Sequence, residues 1–408
     1  MQRGEETAFR ARRISDRVWW VGAIDWGLRN FHGYLTSRGT TYNAFVVTGP
    51  VPTLIDTVKA PFYDEMLARI RSVIDPSEIQ LVVSNHSEMD HSGGLPRFVE
   101  QFRPEKVLAS RMGAEALKAH FAGAVSAEVV RSGDRIDLGD TGLRIVETPM
   151  LHWPDSMLSY LEDGGVLFSN DAFGMHLAGS ERFADEIDGA LLRHEAAKYY
   201  ANILMPLSPI VARLLDRLPE LDLEIRIVAP DHGPAWREGP DQIVELYRRW
   251  SAQEPTARAV VVYDTMWQST ALMARAIADG LTHGGAEARL MPLEGSHRSD
   301  VATELLEAGA LLVGSPTMNN RIYPTLADAT TYLAGLGPRN LVGASFGSYG
   351  WSGEAVAHLR DRLEEMGVEL VNEGLKVKYV PGKEDLARCR ALGQKTAKKV
   401  RENARPAG

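Results

Sequence analysis

The sequence predicts two α/β domains in tandem, an α/β sandwich over residues 1–250 followed by a doubly wound parallel sheet over residues 258–402. Three observations carry this. The 408 residues are enough for two or three domains of ordinary size. Up to about residue 250, short apolar runs are broken by Gly, Pro and Asp, with no strict alternation of strand and helix. Beyond Arg258, strand-like and helix-like runs alternate regularly.

In the first domain, residues 44–47, 81–84, 165–169 and 225–229 are apolar runs of strand length, and 60–73 and 193–218 read as helices. Residues 251–258, with Gln253, Glu254 and Pro255, form the expected linker. In the second domain, strands are expected at 259–263, 287–292, 311–314 and 341–345. The helices between and after them span 269–281, about 300–307, 324–333 and 353–366. A strand pair within 368–380 and a helix over 383–402 follow. Helical crossovers of this length join parallel strands. No internal repeat or low-complexity segment is present.

Composition narrows the function. The chain is 44% hydrophobic and 24% charged, with a net charge of −9. That charge gives no electrostatic reason to expect nucleic acid or an anionic membrane as partner. The start, Met1-Gln2-Arg3-Gly4-Glu5-Glu6, lacks the apolar core of a signal peptide. No run approaches the ~20 apolar residues of a membrane helix. A cytoplasmic protein is expected. Cys389 is the single cysteine, which excludes an internal disulfide, an all-cysteine iron–sulfur cluster and a rubredoxin module within this sequence. Cys389 lies in the last amphipathic helix and reads as structural.

The densest chemistry lies at Asn85-His86-Ser87-Glu88-Met89-Asp90-His91-Ser92-Gly93-Gly94, after an apolar strand. Alternation along an extended segment would converge His86, Glu88 and Asp90, and send His91 to the other side, toward a second metal. Imidazole with carboxylate suits iron, manganese or zinc. His152, Asp171 and His232 each follow a strand, the end at which α/β folds gather their sites. Glu88, Asp90 and Asp171 bring three negative charges, so a ferrous pair needs only one hydroxide for neutrality. Hard anionic ligands favour the ferric state and redox work over hydrolysis.

A His-x-Glu-x-Asp-His loop with distant His, Asp and His resembles the metallo-β-lactamase superfamily. Glu88, where the hydrolases usually carry His, resembles the flavodiiron proteins. The similarity also rests on Val21-Gly22-Ala23-Ile24-Asp25-Trp26, Arg38-Gly39-Thr40-Thr41-Tyr42-Asn43-Ala44, Leu151-His152-Trp153-Pro154-Asp155-Ser156-Met157 and Ala196-Ala197-Lys198-Tyr199-Tyr200-Ala201-Asn202, and it covers residues 14–402. It implies a metallo-β-lactamase-like αββα sandwich followed by a flavodoxin-like doubly wound sheet. It also implies one iron on His86, Glu88 and His152, another on Asp90, His91 and His232, and Asp171 between them. His91 varies as a direct ligand within that family. His32, His176 and Tyr199 match positions near the iron pair, with donation of protons or hydrogen bonds as the implied role.

The second domain opens with Tyr263-Asp264-Thr265-Met266-Trp267-Gln268-Ser269-Thr270, hydroxyls and N–H groups at a helix start. It has neither the P-loop nor the dinucleotide glycine pattern. A phosphate held by neutral hydroxyls fits FMN and resembles the flavodoxin loop, although helix capping explains Ser269 and Thr270 equally well. Two later turns, Gly314-Ser315-Pro316-Thr317-Met318-Asn319-Asn320 and Ser345-Phe346-Gly347-Ser348-Tyr349-Gly350-Trp351-Ser352-Gly353, are expected on the same sheet edge. There, small residues and aromatics can approach a flavin.

Together these features imply a reductase for O2, NO or both, yielding water or N2O. It would use two non-haem irons and one FMN per chain. An external donor such as a rubredoxin or a flavin reductase is expected, as is a head-to-tail homodimer or a dimer of dimers. Two rivals remain open. A binuclear metallohydrolase with a flavodoxin-like accessory domain would hold zinc, and a gas sensor would bind O2 or NO without turnover.

Overall fold

The computed structural model describes residues 9–404. The chain divides into two compact units. The first takes residues up to His32, Thr36–Tyr199 and Pro209–Arg248; the second takes Gly33–Leu35, Tyr200–Ser208 and the chain from Arg249 onward. The expected division at residues 250 and 258 differs from this one in the two short stretches 33–35 and 200–208.

The first unit is built on two sheets. In spatial order, the seven-stranded sheet runs Arg12–Arg13, Val18–Trp20, Phe45–Val47, Thr53–Ile55, Leu81–Ser84, Lys106–Ala109 and Glu128–Val129. The five-stranded sheet runs Arg135–Asp137, Gly142–Glu147, Met157–Leu161, Val166–Phe168 and Ile227–Ala229. Strand alternation explains the layers. Phe45, Val47, Ile55, Leu81 and Val83 pack against Ile145, Met157, Val166 and Phe168 of the other sheet. Phe45 and Phe168 meet there with ring centroids 5.2 Å apart. Val46, Leu54, Val82 and Val107 face the opposite way, onto Met66, Leu67, Ile70, Leu95, Phe98 and Leu117. Those residues come from the helices Tyr63–Arg71, Leu95–Phe102 and Arg111–His120. One strand set thus serves two cores.

The continuous helix expected over 193–218 is broken in four. Gly189–Tyr199 is α-helical, Tyr200–Leu204 a π-helix, Met205–Leu207 a 3-10 turn and Ser208–Arg217 α-helical again. Pro206 and Pro209 supply the cause. Neither has an N–H to donate, and each ring crowds the carbonyl four residues back. The ladder widens before them.

The second unit is one parallel sheet, ordered Glu287–Pro292, Arg258–Tyr263, Ala310–Gly314, Val342–Tyr349 and Glu369–Leu370, with Leu375–Lys378 also paired to Val342–Tyr349. This is the 2-1-3-4-5 order of flavodoxin-like sheets, whose switch point lies between the first and third strands. The helices Ser269–His283 and Lys383–Asn403 pack very closely. A Cβ on Gly280 would lie 2.1 Å from the Arg390 carbonyl, and one on Gly393 would lie 2.1 Å from that of Ile277. Only glycine at both crossings lets the first helix sit where its N-terminus meets the sheet edge.

Two boundaries differ from expectation. The helix Asp241–Ala252 runs into the presumed linker. The fourth strand continues to Tyr349 instead of ending at Ser345, because Phe346 is a fully buried core residue. No helix among the described residues is long and apolar enough to cross a membrane.

Candidate metal centre and flavin turns

The strand Leu81–Ser84 delivers the chain to Asn85, which Asp56 clamps through the Asn85 backbone N at 2.7 Å and Nδ2 at 2.9 Å. Glu88, at φ −58° and ψ 144°, precedes a helical turn, Met89–Ser92. This corrects the simple alternation. The turn carries Asp90 away from His86 and Glu88 and places it beside His91.

Two clusters result, each with its ligand atoms within 4.8 Å of one another. One is His86, Glu88, His152 and Asp171; the other is Asp90, His91 and His232. Glu88 Oε2 lies 3.4 Å from both His86 Nε2 and His152 Nε2. Asp90 lies 3.4 Å from both His91 Nε2 and His232 Nε2. Asp171 stands between. Its Oδ2 is 2.7 Å from His152 Nε2 and 3.6 Å from His86 Nε2. Its Oδ1 is 3.3 Å from His91 Nε2 and 3.5 Å from His232 Nε2.

The donor set fits a metal pair. His86 Nε2, His91 Nε2, both oxygens of Asp90 and Asp171 Oδ1 are buried and have no hydrogen-bond partner among the described residues. An unsatisfied buried polar group costs about 1–3 kcal/mol, more when charged, and coordination removes that cost. The rings are also aimed from behind. His232 Nδ1 donates to the Thr41 carbonyl at 2.6 Å, and His86 Nδ1 donates to Asp155 at 3.0 Å. Each bond presents Nε2 forward as a lone pair. Nitrogen and carboxylate donors without thiolate suit iron, manganese or zinc.

The electrostatics agree. Burial works against a charged His86, yet the hydrogen bond to Asp155 and the nearby carboxylates of Glu88 and Asp171 push its pKa up to about 10. Burial also opposes ionisation of Asp171, but His91 and His152 hold it well below the usual carboxylate range. The pocket therefore draws positive charge strongly.

The three expected pocket residues lie against these clusters. His32 Nε2 is 3.0 Å from Glu88 Oε1, on a ring that is 74% exposed. His176 Nδ1 is 2.8 Å from Thr40 Oγ1, and its ring is 4.6 Å from that of His232. Tyr199 is buried, 6.1 Å ring to ring from His232. Burial first, then the field of Asp171, pushes its hydroxyl pKa well above normal. Burial and the neighbouring His232 hold His176 well below the usual imidazole value.

Sequence reasoning missed several supports: Asp56 under Asn85, Thr40, Thr41, Asp155, and Asp231, whose Oδ2 lies 3.8 Å from His91 Nδ1. Asp231 forms a third cluster with His91 and Asp171. The available signal was its place directly before His232.

In the second unit, the first turn leaves the sheet at the switch point. Gln268 takes a left-handed φ of +66°, and the helix starts at Ser269. Asn319 and Asn320, at φ +51° and +60°, shape the second turn. Thr265 Oγ1, Thr317 Oγ1 and Ser345 Oγ are buried without hydrogen-bond partners among the described residues. Met266, Trp267, Trp351 and Tyr379 are exposed. Unpartnered hydroxyls in three successive turns at one sheet edge, together with exposed aromatics in the first and third, fit a phosphate with an attached flat ring.

Other hydroxyls expected there are engaged within the protein. Thr270 Oγ1 and Ser348 Oγ bond each other at 3.2 Å, and Ser315 Oγ donates to the Pro316 carbonyl at 2.7 Å. Phe346 is fully buried in the core of the second unit. Its ring would sit 2.2 Å from a Cβ at Gly314, so it fills the space that Gly314 leaves in the core. Asp264 was also missed. It accepts from Thr265 N at 2.7 Å and from Thr325 Oγ1 at 2.6 Å, holding the first turn closed.

Comparison with known proteins accords with this arrangement. Residues 40–233 match the family described as ODP family beta lactamase, and residues 261–393 match Flavodoxin. A nitric oxide reductase of Moorella thermoacetica is 45% identical over 95% of this chain and 98% of its own length. A rubredoxin-oxygen oxidoreductase of Megalodesulfovibrio gigas is 41% identical over 96% of this chain and 98% of its own. The crystal structure of the flavodiiron protein from Giardia intestinalis superposes with a TM-score of 0.95 at 32% identity, covering 98% of this chain and 100% of that one. With its lactamase-like diiron domain and its flavodoxin-like FMN domain, this chain belongs to the flavodiiron proteins, a family of oxidoreductases.

Proposed function

We propose that the protein reduces O2 to water, NO to N2O, or both, with electrons passed from an external donor through FMN to the iron pair. The observation that carries this is Asp171, whose two oxygens each face a different histidine pair in a buried, carboxylate-rich pocket. The relatives named for nitric oxide reduction and for rubredoxin–oxygen chemistry support both gases as substrates. When bound, FMN supplies conversion of electron pairs to single electrons, and the iron pair supplies coordination positions for a diatomic gas.

The chain's own residues do the rest. His86, Glu88 and His152 hold one metal; Asp90, His91 and His232 hold the other; Asp171 bridges. Both reductions consume protons, and Tyr199, His176 and His32 stand close enough to the clusters to donate hydrogen bonds or protons. The turns at Thr265–Thr270, Thr317–Asn320 and Tyr349–Trp351 hold FMN.

A rubredoxin or a flavin reductase is the donor we favour, because no cysteine cluster exists in the sequence. We place the protein in a head-to-tail homodimer, or a dimer of dimers, in which the flavin of one copy faces the irons of another. The exposed Met89 and Met150 beside metal-cluster residues, and the exposed Trp267 and Trp351 in the flavin turns, supply apolar surface for such contacts. A monomer in solution with full steady-state activity would contradict the dimer.

The deciding experiment is metal and flavin analysis of the purified protein, then anaerobic reduction and separate addition of O2 and NO. Two irons, one FMN and consumption of either gas are expected. Zinc without flavin sinks the proposal in favour of a hydrolase. Stoichiometric binding of gas without turnover sinks it in favour of a sensor.

A further inference from the structure

We propose that Asp155 is a positioning residue for one metal of the pair, fixing the His86 ring so that its Nε2 addresses the cluster of His86, Glu88 and His152. The proposal rests on the metal-binding reading of the pocket and is independent of which gas is reduced.

The geometry is complete on three sides. Asp155 Oδ2 accepts from His86 Nδ1 at 3.0 Å and from the Ser87 backbone N at 2.6 Å. The same oxygen therefore sets both the ring and the main chain that carries it. The Asp155 backbone is itself anchored, since its carbonyl accepts from Ser110 Oγ at 2.7 Å. The Trp153 ring stands at 90° to His86, with centroids 5.2 Å apart, and closes one side of the imidazole. His86 is fully buried and Asp155 is 3% exposed, so water competes weakly for these bonds.

A second relationship makes the role specific to one site. Asp155 lies three residues after His152, and the chain between and around them is folded by Met150 N donating to the Trp153 carbonyl at 2.8 Å and Ser156 N donating to the same carbonyl at 3.3 Å. One short loop thus supplies a ligand to the cluster and also braces that cluster's other histidine from behind. The second cluster is braced differently: Asp231 stands 3.8 Å behind His91 Nδ1, beyond hydrogen-bond distance. His232 Nδ1 meets a neutral carbonyl, that of Thr41. A carboxylate behind a histidine raises the basicity of the coordinating nitrogen more than a carbonyl does, and removing such partners typically costs 10–100-fold in metal affinity. Removal of the Asp155 charge therefore weakens one metal and spares the other.

The test is titration of metal-free protein with Co2+, read by the visible absorption of the bound ion and by competition with a chelator. Wild type is expected to take two equivalents. Asp155→Asn keeps the shape but loses the charge, and is expected to keep one tight equivalent while the other weakens by about 10–100-fold, with an altered cobalt spectrum. Ser110→Ala, which frees the Asp155 carbonyl and also the Gly113 N–H that Ser110 Oγ caps at the start of the helix Arg111–His120, is expected to shift the same equivalent by a smaller factor. It decides the question if Asp155→Asn does not fold. Equal weakening of both equivalents, or two wild-type equivalents with an unchanged spectrum in the variant that folds, overturns the role of Asp155. Failure of wild type to bind cobalt overturns the metal reading itself.

Discussion

Tyr199 and His176 meet edge to face at 5.1 Å between ring centroids, and Thr40 holds the far side of that imidazole. Tyr199 ends an α-helix just where the ladder widens into the π-helical stretch. The proline-driven break thus falls immediately after a buried residue that lies against the metal pocket. Tyr199→Phe keeps the ring and removes the hydroxyl. Iron content is expected to stay at the wild-type level, because Tyr199 belongs to neither cluster. Turnover with O2 or NO is expected to fall by about 100-fold, the lower range for a positioned proton donor. Loss of iron, or full activity, would remove Tyr199 from this role.

Asp171 faces both clusters, whereas His152 belongs to one. Their substitutions should therefore differ in kind. Asp171→Asn is expected to lower occupancy at both positions, because the amide brings no negative charge and its nitrogen cannot coordinate well. His152→Ala is expected to leave one iron per chain. Metal analysis after identical reconstitution separates the two outcomes. If Asp171→Asn retained both irons, the bridging assignment would fail.

Much of this was legible in the sequence, for identifiable reasons. The parallel sheet of the second unit could be read because its central strands, Arg258–Tyr263 and Ala310–Gly314, are almost wholly apolar and buried on both faces. His86, Glu88, Asp90 and His91 stood out because four donors in six residues have few structural uses. The supports were not legible. Asp155 is 69 positions from His86, and its part depends on a loop folding back onto the strand end. Thr41 acts through a carbonyl, which every residue possesses. Strand alternation alone grouped Asp90 with His86 and Glu88, because a single helical turn is invisible in the donor spacing; only the family resemblance set Asp90 beside His91 and His232. Phe346 was placed in the expected flavin turn 345–353; the missing side chain of Gly314 reveals the core space that its ring fills.

Phe346 and Trp351 should thus respond oppositely to truncation. Phe346 is fully buried, and Phe346→Ala is expected to cost about 3–5 kcal/mol of stability. Trp351 is 87% exposed, so Trp351→Ala is expected to leave thermal stability of the flavin-free protein unchanged. Its expected effect is on FMN affinity, a loss of about 0.5–1.5 kcal/mol if the indole stacks on the flavin. Thermal melts and fluorescence titration with FMN check both. Unchanged FMN affinity in Trp351→Ala would place the flavin ring elsewhere.

Cys389 offers a pH test on a residue that belongs to neither the metal clusters nor the flavin turns. Its thiol is fully buried on the helix Lys383–Asn403. Burial pushes its pKa up to about 11 from an ordinary 9, although Arg388 pulls the other way. The folded state therefore holds this proton more tightly than the unfolded chain does. The corresponding stability is fully present below pH 9, and it is lost as pH rises from 9 toward 11. Within that window the loss is at most about 1.4 kcal/mol per pH unit. Cys389→Ala is expected to be less stable than wild type at pH 8, through lost packing, and the gap should narrow at pH 10.5. Denaturant unfolding of both proteins at the two pH values measures this. A thiol-specific reagent should also react with the native protein at pH 8 only as fast as the helix opens. Reaction at the rate of a free thiol, or a gap that widens with pH, would show that Cys389 is not held protonated in the core.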